Sequence, residues 1–184
     1  MKKLQLLALL FIFTAFSADF VSAQKLPGLD GSPADVAIFR PGGRGTVPVA
    51  KVVYGRPQKK GRTMLGGTEP YGTVWRTGAN ETTEIKLYRD VTFAGKKIKA
   101  GTYSLYTIPD KSEWTIIFNS KLDTWGAYEY DETKDVVRFK VPVTTPESEV
   151  EAFTIVFTAE EGAVGTANML MAWENSLVKI PLKY

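Results

Sequence analysis

The sequence predicts an all-β fold, an antiparallel β-sandwich or jelly-roll-like barrel of about nine or ten strands. Three observations lead to this prediction. Apolar and polar residues alternate with a period of two, β-branched and aromatic residues are plentiful, and turn signals return about every 8–12 residues. No segment shows a helical stripe with caps, and the best helical candidate is a short one at residues 120–128. Strands with one polar face each imply layers or a barrel that bury the other face.

The strands can be placed in chain order. Residues 24–45 form a Gly- and Pro-rich segment with one predicted edge strand, and residues 46–184 follow as a single β domain. A hairpin is predicted around residues 109–112, because Pro fixes φ and Asp accepts local hydrogen bonds. The predicted strands lie at residues 34–39, 47–54, 82–88, 102–108, 113–119, 135–143, 153–157, 167–173 and 177–182.

Residues 1–23 have the features of a secretory signal peptide. Lys2 and Lys3 precede an apolar run, and the small residues Ser22 and Ala23 precede the expected cut, which leaves Gln24 as the mature N-terminus. The run is shorter than the roughly 20 apolar residues that span a bilayer. We therefore expect an exported chain, periplasmic or extracellular, without an integral membrane span.

The composition excludes several classes of function. The chain has no Cys, so we expect no disulfides, and no His, which excludes Ser-His-Asp triads and imidazole zinc sites. The net charge is only +3, too small for the basic footprint of a nucleic-acid binder. We expect no metal and no cofactor, and any acid–base chemistry would need Asp, Glu, Lys or Tyr.

The segment 75–81, which reads WRTGANE, is the most informative motif. Arg76 offers five donors in a rigid fork, Asn80 and Glu81 supply acceptors, and Gly78 permits a turn. One interpretation is a polar pocket beside Trp75 that holds a sugar or a small carboxylate. The other is a sheet corner in which the Arg is tied to backbone carbonyls or to Glu81.

Two further features are candidates for binding. Arg56 and Arg62 flank a Pro- and Lys-containing turn, which is either an anion-binding loop or an exposed basic turn. Trp125 and Tyr128 lie near a predicted loop, where their rings would form a glycan platform or be part of the core.

These motifs resemble a known family. The segments that carry the resemblance are YGRP (54–57), KGR (60–62), PYG (70–72), VWRTGANE (74–81), AGTYS (100–104) and WG (125–126). Together they are similar to the domain-of-unknown-function family 2911, exported proteins of some Gram-negative bacteria, over about residues 32–182. The resemblance implies one exported domain and supplies no catalytic residues.

The sequence favours a binding module for a glycan or another cell-envelope component, without catalysis. A carboxylate-dependent hydrolase centred on Glu81 and a structural envelope module without a ligand are the alternatives. Glycoside hydrolysis needs two carboxyl groups about 5–10 Å apart. Glu81, Glu84 and Asp123 are the acids near the aromatic motifs. Glu81 and Glu84 lie three positions apart, so within one regular strand they should face opposite sides.

Overall fold

A computed structural model describes residues 24–159 and 162–184, and the predicted signal peptide lies outside these residues. The described chain is built from eleven β-strands and one short 3-10 turn, Glu132–Lys134. The strands are β1 (Ala34–Phe39), β2 (Ala50–Gly55), β3 (Ala79–Leu87), β4 (Val91–Phe93), β5 (Lys96–Ile98), β6 (Gly101–Ile108), β7 (Glu113–Asn119), β8 (Asp135–Thr144), β9 (Val150–Ala159), β10 (Thr166–Glu174) and β11 (Ser176–Lys183).

All the strand pairs are antiparallel, and the sheet is nearly closed into a barrel. The strand order is β1-β2-β3-β6-β7-β8-β11-β10-β9, and the small hairpin β4-β5 pairs with β11. The all-β prediction is confirmed. The sequence prediction missed β4 and β5, since each is only three residues long and too short to show an alternating pattern.

The barrel interior is an aromatic core. Trp75, Trp114, Phe153 and Trp173 are each at most 2% exposed. Trp75 stacks on Trp173 with ring centroids 5.6 Å apart and meets Phe153 at 4.9 Å. The indole N–H of Trp75 donates to the carbonyl of Gly78 at 3.0 Å. Trp114, Phe153 and Trp173 are inward-facing strand residues that meet inside the barrel, and Trp75, which precedes β3, packs among them.

Residues that follow β2 join the two ends of the sheet. The guanidinium of Arg56 donates to the carboxylate of Asp35 on β1 and to the hydroxyl of Thr154 on β9, each at 2.9 Å. The amide of Phe153 on β9 donates to the carbonyl of Pro57 at 2.9 Å. These bonds close the seam between β1 and β9, and Arg56 is therefore part of the barrel wall.

Residues 120–134, here called the covering segment, form a second layer over the outer face of β6 and β7. Beneath it, the outward-facing side chains of Ser104, Tyr106 and Ile117 are at most 3% exposed. The hydroxyl of Ser104 donates to the carbonyl of Lys121 at 2.6 Å. An outer face that would otherwise be solvated is thus buried, which fixes the covering segment on the barrel.

The best helical candidate of the sequence, residues 120–128, does not form a helix. Asp123 and Gly126 have φ values of 57° and 69°, outside the helical region. The backbone of the segment pairs instead with β3: the amide of Thr82 donates to the carbonyl of Thr124, and the amide of Gly126 donates to the carbonyl of Asn80, each at 3.0 Å. A helix would have used these groups internally, but the barrel offers them partners that local sequence does not reveal.

Candidate functional site

Residues 75–78, the first part of the segment 75–81, form a structural corner. Trp75 and Thr107 exchange two backbone hydrogen bonds, of 2.7 and 3.0 Å. Thr77 has a φ of 57°, and its carbonyl accepts a bond from the hydroxyl of Thr83 at 2.7 Å. A Cβ atom on Gly78 would lie 2.8 Å from the carbonyl oxygen of Gly55, so the close approach of the two chains requires glycine.

The same corner contains a large β-bulge in β3. Val53 pairs with Glu84 and Gly55 pairs with Ala79, so two steps along β2 correspond to five steps along β3. The three extra residues on β3 interrupt its period-two alternation, because an odd insertion reverses the facing of the side chains. The expectation that Glu81 and Glu84 face opposite sides is therefore wrong, and both line one cleft.

This cleft, here called the acidic cleft, has a volume of about 540 Å³. Its floor is the outer face of β2, β3 and β6, and its two walls are residues 32–34 and residues 123–125 of the covering segment. Glu81, Glu84 and Asp123 line it, and no Lys or Arg does. The arrangement offers carboxylate oxygens, which are acceptors for hydroxyl or ammonium donors.

Hydroxyl groups and an amide hold the cleft in shape. The hydroxyls of Thr82 and Thr124 lie 2.9 Å apart, and the phenol of Tyr106 lies 3.0 Å from that of Thr124. The side-chain amide of Asn80 donates to the carboxylate of Asp30 at 3.0 Å and so ties the N-terminal wall to β3. Hydrogen bonds from the Ser32 amide and from Asn80 lower the pKa of Asp30. The carboxylate of Asp30 is therefore charged at neutral pH.

A stacked aromatic pair stands at one end of the cleft. The rings of Trp125 and Tyr128 lie 5.7 Å apart and only 8° from parallel. Trp125 is 59% exposed and Tyr128 is 80% exposed. Gly126 between them has a φ of 69°, and a Cβ there would lie 2.7 Å from the Tyr128 ring. Glycine thus allows the chain to turn and the two rings to stack in solvent.

A second hollow of about 290 Å³, here called the arginine pocket, lies on the other side of the aromatic pair. Tyr128, Arg76 and Glu69 are among its lining residues. The guanidinium carbon of Arg76 lies 6.0 Å from the Trp125 ring centroid, a cation–π distance. The buried Nε of Arg76 has no hydrogen-bond partner among the described residues. Burial raises the pKa of Glu69, while the charge of Arg76 acts in the opposite direction.

The predicted site residues thus divide into three groups. Trp75 is part of the core and also lines the arginine pocket, and Arg56 is part of the seam. Arg62 is on an exposed turn, where it donates to the carbonyls of Lys59 and Gln58 at 3.0 and 2.8 Å. The acidic cleft and the arginine pocket bring together the remaining five: Arg76, Asn80, Glu81, Trp125 and Tyr128.

Sequence reasoning missed three residues of this region. Glu69 contributes to the arginine pocket, Ser32 lines the acidic cleft, and Asp30 accepts a hydrogen bond from Asn80 of that cleft. The Asp-Gly-Ser sequence at residues 30–32 is a turn signal, and the amide of Ser32 does donate to Asp30 at 2.6 Å. No local pattern marks Glu69, because the pocket that it lines is completed by residues 127–128 of the covering segment.

Metal binding and membrane spanning can both be considered for the described residues. Among the described residues, no group of three or more His, Cys, Asp or Glu side chains could hold a metal ion. In the same part of the chain, no helix has the length and apolar character needed to cross a membrane.

Comparison with known proteins shows the family. The model of the family described as "Protein of unknown function (DUF2911)" matches residues 43–182, and the chain belongs to this family. No curated protein and no solved structure matches the chain. The family model confirms the resemblance carried by the segments between residues 54 and 126, and the function must be argued from the site.

Proposed function

We propose that this DUF2911 domain is exported and binds a glycan of the cell envelope in the acidic cleft, without catalysis. The observation that supports the proposal is the exposed, parallel pair Trp125 and Tyr128 beside a cleft of carboxylates and hydroxyls. Large exposed aromatic area on a folded domain marks an interaction surface more often than a structural need. The cleft also falls within the volume range of small-molecule sites.

The chemistry of the cleft suits saccharides. A sugar ring presents an apolar C–H face, which packs on an aromatic ring, and hydroxyl donors around its edge. Carboxylates such as Glu81 and Asp123 accept bonds from such hydroxyls, and charged acceptors form stronger hydrogen bonds than neutral ones. The hydroxyl network of Thr82, Thr124 and Tyr106 keeps the floor rigid, which reduces the entropy lost on binding.

Binding of neutral envelope oligosaccharides to residues 24–184 tests the proposal by glycan array and calorimetry. Trp125→Ala should weaken binding at least tenfold, because it removes the stacking surface. Tyr88→Ala is the matched control, since Tyr88 is also an exposed aromatic but lies outside the cleft. Binding that is absent, or that is unchanged in Trp125→Ala, would contradict the proposal.

A second candidate is carboxylate-dependent hydrolysis centred on Glu81. The bulge that brings Glu81 and Glu84 into one cleft with Asp123 favours it, because glycoside hydrolysis requires paired carboxyl groups. Turnover of a polysaccharide panel that disappears in Glu81→Gln, with an unchanged circular dichroism spectrum, would establish it. The third alternative, an envelope module without a ligand, is the one left if neither binding nor turnover is found.

A further inference from the structure

We infer that the arginine pocket binds the carboxylate of an acidic sugar, so that the glycan carries a charged ring next to the ring held in the acidic cleft. This inference rests on the proposed glycan binding and names a substrate class for it. It concerns the second hollow, which lies across the aromatic pair from the cleft and has its own charge and lining.

The first support is the guanidinium of Arg76, which forms no ion pair with a described residue. Its Nε is buried without a hydrogen-bond partner, and among the described residues no carboxylate lies within 4 Å of its nitrogens. Nε has almost no accessible surface, so a ligand carboxylate would instead bind the two terminal nitrogens of the guanidinium with two parallel bonds. Nε of Arg56 is also buried without a partner, but its two terminal nitrogens donate to Asp35 and Thr154. Arg62 donates to backbone carbonyls on its own turn.

The second support is the difference in charge between the two hollows. The acidic cleft has three carboxylates and no basic side chain, so it disfavours an anionic ring. The arginine pocket contains Arg76 with one carboxyl group, Glu69, which does not form an ion pair with it. A ligand carboxylate is therefore directed to the pocket, and neutral rings to the cleft.

Glu69 completes the recognition of a sugar acid. It lies half-buried in the same pocket, and its carboxyl group can accept a bond from a ring hydroxyl next to the bound carboxylate. Because burial raises its pKa, Glu69 opposes an incoming anion less than an exposed carboxylate would. A simple inorganic anion would use Arg76 alone, whereas a sugar acid uses both side chains.

The aromatic pair connects the two hollows. Trp125 lines the acidic cleft and Tyr128 lines the arginine pocket, while their rings stack on each other at 5.7 Å. Arg76 lies against the same pair at 6.0 Å from the Trp125 ring. One oligosaccharide that passes over the pair can therefore place a neutral ring on one side and an acidic ring on the other.

The test uses two monosaccharides that differ only at one carbon, methyl β-D-glucuronide and methyl β-D-glucoside. Their dissociation constants are measured by NMR at pH 7 and low salt, with the arginine Nε–H resonances as the probe. The glucuronide should bind at least tenfold more tightly than the glucoside and shift the Arg76 signal. Arg76→Gln should bring the ratio to about one, because it removes the charge and the fork.

Arg89→Gln is the matched control, because Arg89 is exposed and outside both hollows, and it should leave the ratio unchanged. Arg76→Gln should also fold normally, since Arg76 makes no side-chain hydrogen bond that its loss would break. If the glucuronide binds no more tightly than the glucoside, or if its preference survives in Arg76→Gln, the inference is overturned.

The two proposals fail in different ways. Neutral oligosaccharides that bind through Trp125, together with no preference for the glucuronide, would leave the proposed function standing and overturn the inference. A glucuronide preference that depends on Arg76, with no oligosaccharide bound in the cleft, would support the pocket and contradict the proposed function.

Discussion

Trp75 inside the barrel is 2% exposed, whereas Trp125 on the covering segment is 59% exposed. Trp75 packs against three aromatic rings and donates its N–H to a carbonyl. Trp125 has one ring neighbour, Tyr128, and the guanidinium of Arg76. Packing explains why the first residue is aromatic. It does not explain the second, and an exposed indole that the fold does not need is what a ligand platform would present.

The hydrogen-bond partners of polar groups can also be compared between the barrel interior and the arginine pocket. Inside the barrel, the hydroxyls of Thr77 and Thr107 lie 3.2 Å apart and satisfy each other. At the arginine pocket, Nε of Arg76 is buried without a partner. Buried polar groups in native proteins are nearly always paired, so the exceptions call for an explanation. Nε1 of Trp114 in the core and Nε of Arg56 at the seam are also buried without a partner, so Arg76 differs from them in another way. It lines a pocket, and no carboxylate of the described residues lies within 4 Å of its nitrogens.

The largest expected effect compares the two tryptophans. Trp75→Ala should lower the free energy of unfolding by about 3–5 kcal/mol, because it leaves a large cavity in the core. Trp125→Ala should lower it by about 1 kcal/mol or less, since it removes mainly one exposed stacking contact. Urea denaturation of both variants gives the two values. Similar losses in the two variants would show that Trp125 is structural and would break the comparison.

Two glycine substitutions, with an intermediate expected effect, separate the cost of backbone strain from the consequences of disturbing the aromatic pair. Gly126 and Gly95 have φ values of 69° and 81°, so Gly126→Ala and Gly95→Ala should each lose about 1 kcal/mol of stability. Only at Gly126 would the new methyl group meet a ring, that of Tyr128 at 2.7 Å, whereas nothing lies within 4 Å at Gly95.

Gly126→Ala should therefore also change the near-UV circular dichroism and weaken glycan binding, because Tyr128 must move off Trp125. Gly95→Ala should leave both properties unchanged. Unaltered binding in Gly126→Ala would argue that the stacked arrangement is not needed for the ligand.

The smallest expected effect is a pH dependence at Glu69. Burial raises its pKa above that of the unfolded chain, so the folded state holds the proton more tightly. Wild-type stability should therefore gain from Glu69 as the pH falls through its folded pKa, and lose that contribution as the pH rises. Glu69→Gln should be more stable than the wild type at pH 7, and the difference should shrink toward pH 4.

Chemical denaturation of both proteins at pH 4, 5, 6 and 7 measures this difference. Glu113→Gln is a suitable control, because Glu113 pairs with Lys140 on the surface and lies outside the arginine pocket. A stability difference that stays constant over this range would mean that Glu69 is not held in a desolvated environment.

Much of the fold was predictable from local pattern. The hairpin around residues 109–112, predicted from alternation and turn chemistry, appears as β6 and β7. The strands predicted at residues 167–173 and 177–182 likewise appear as the paired β10 and β11. Period two is a property of neighbouring residues, so it can be read without knowing the rest of the chain. The segments β4 and β5 were missed because three residues are too few to show it.

The site was predictable only in part. The motif at residues 75–81 was identified, but its division into a corner and a group of outward side chains depends on Thr107, Thr83 and Gly55, which lie elsewhere in the chain. The sequence also left open whether Trp125 belongs to the core, and the structure leaves it exposed while Trp75 is buried. Local sequence marks both as large aromatics and does not say which face another element covers.

Composition and short-range alternation were sufficient to establish an antiparallel β-domain without histidine or cysteine chemistry, and the motifs placed it in its family. The bulge in β3 and the covering segment come from contacts between residues far apart in the chain, and the arginine pocket joins residues 69–76 to residues 127–128. Such contacts depend on which buried groups find partners across the whole barrel, and no window of neighbouring residues contains that information.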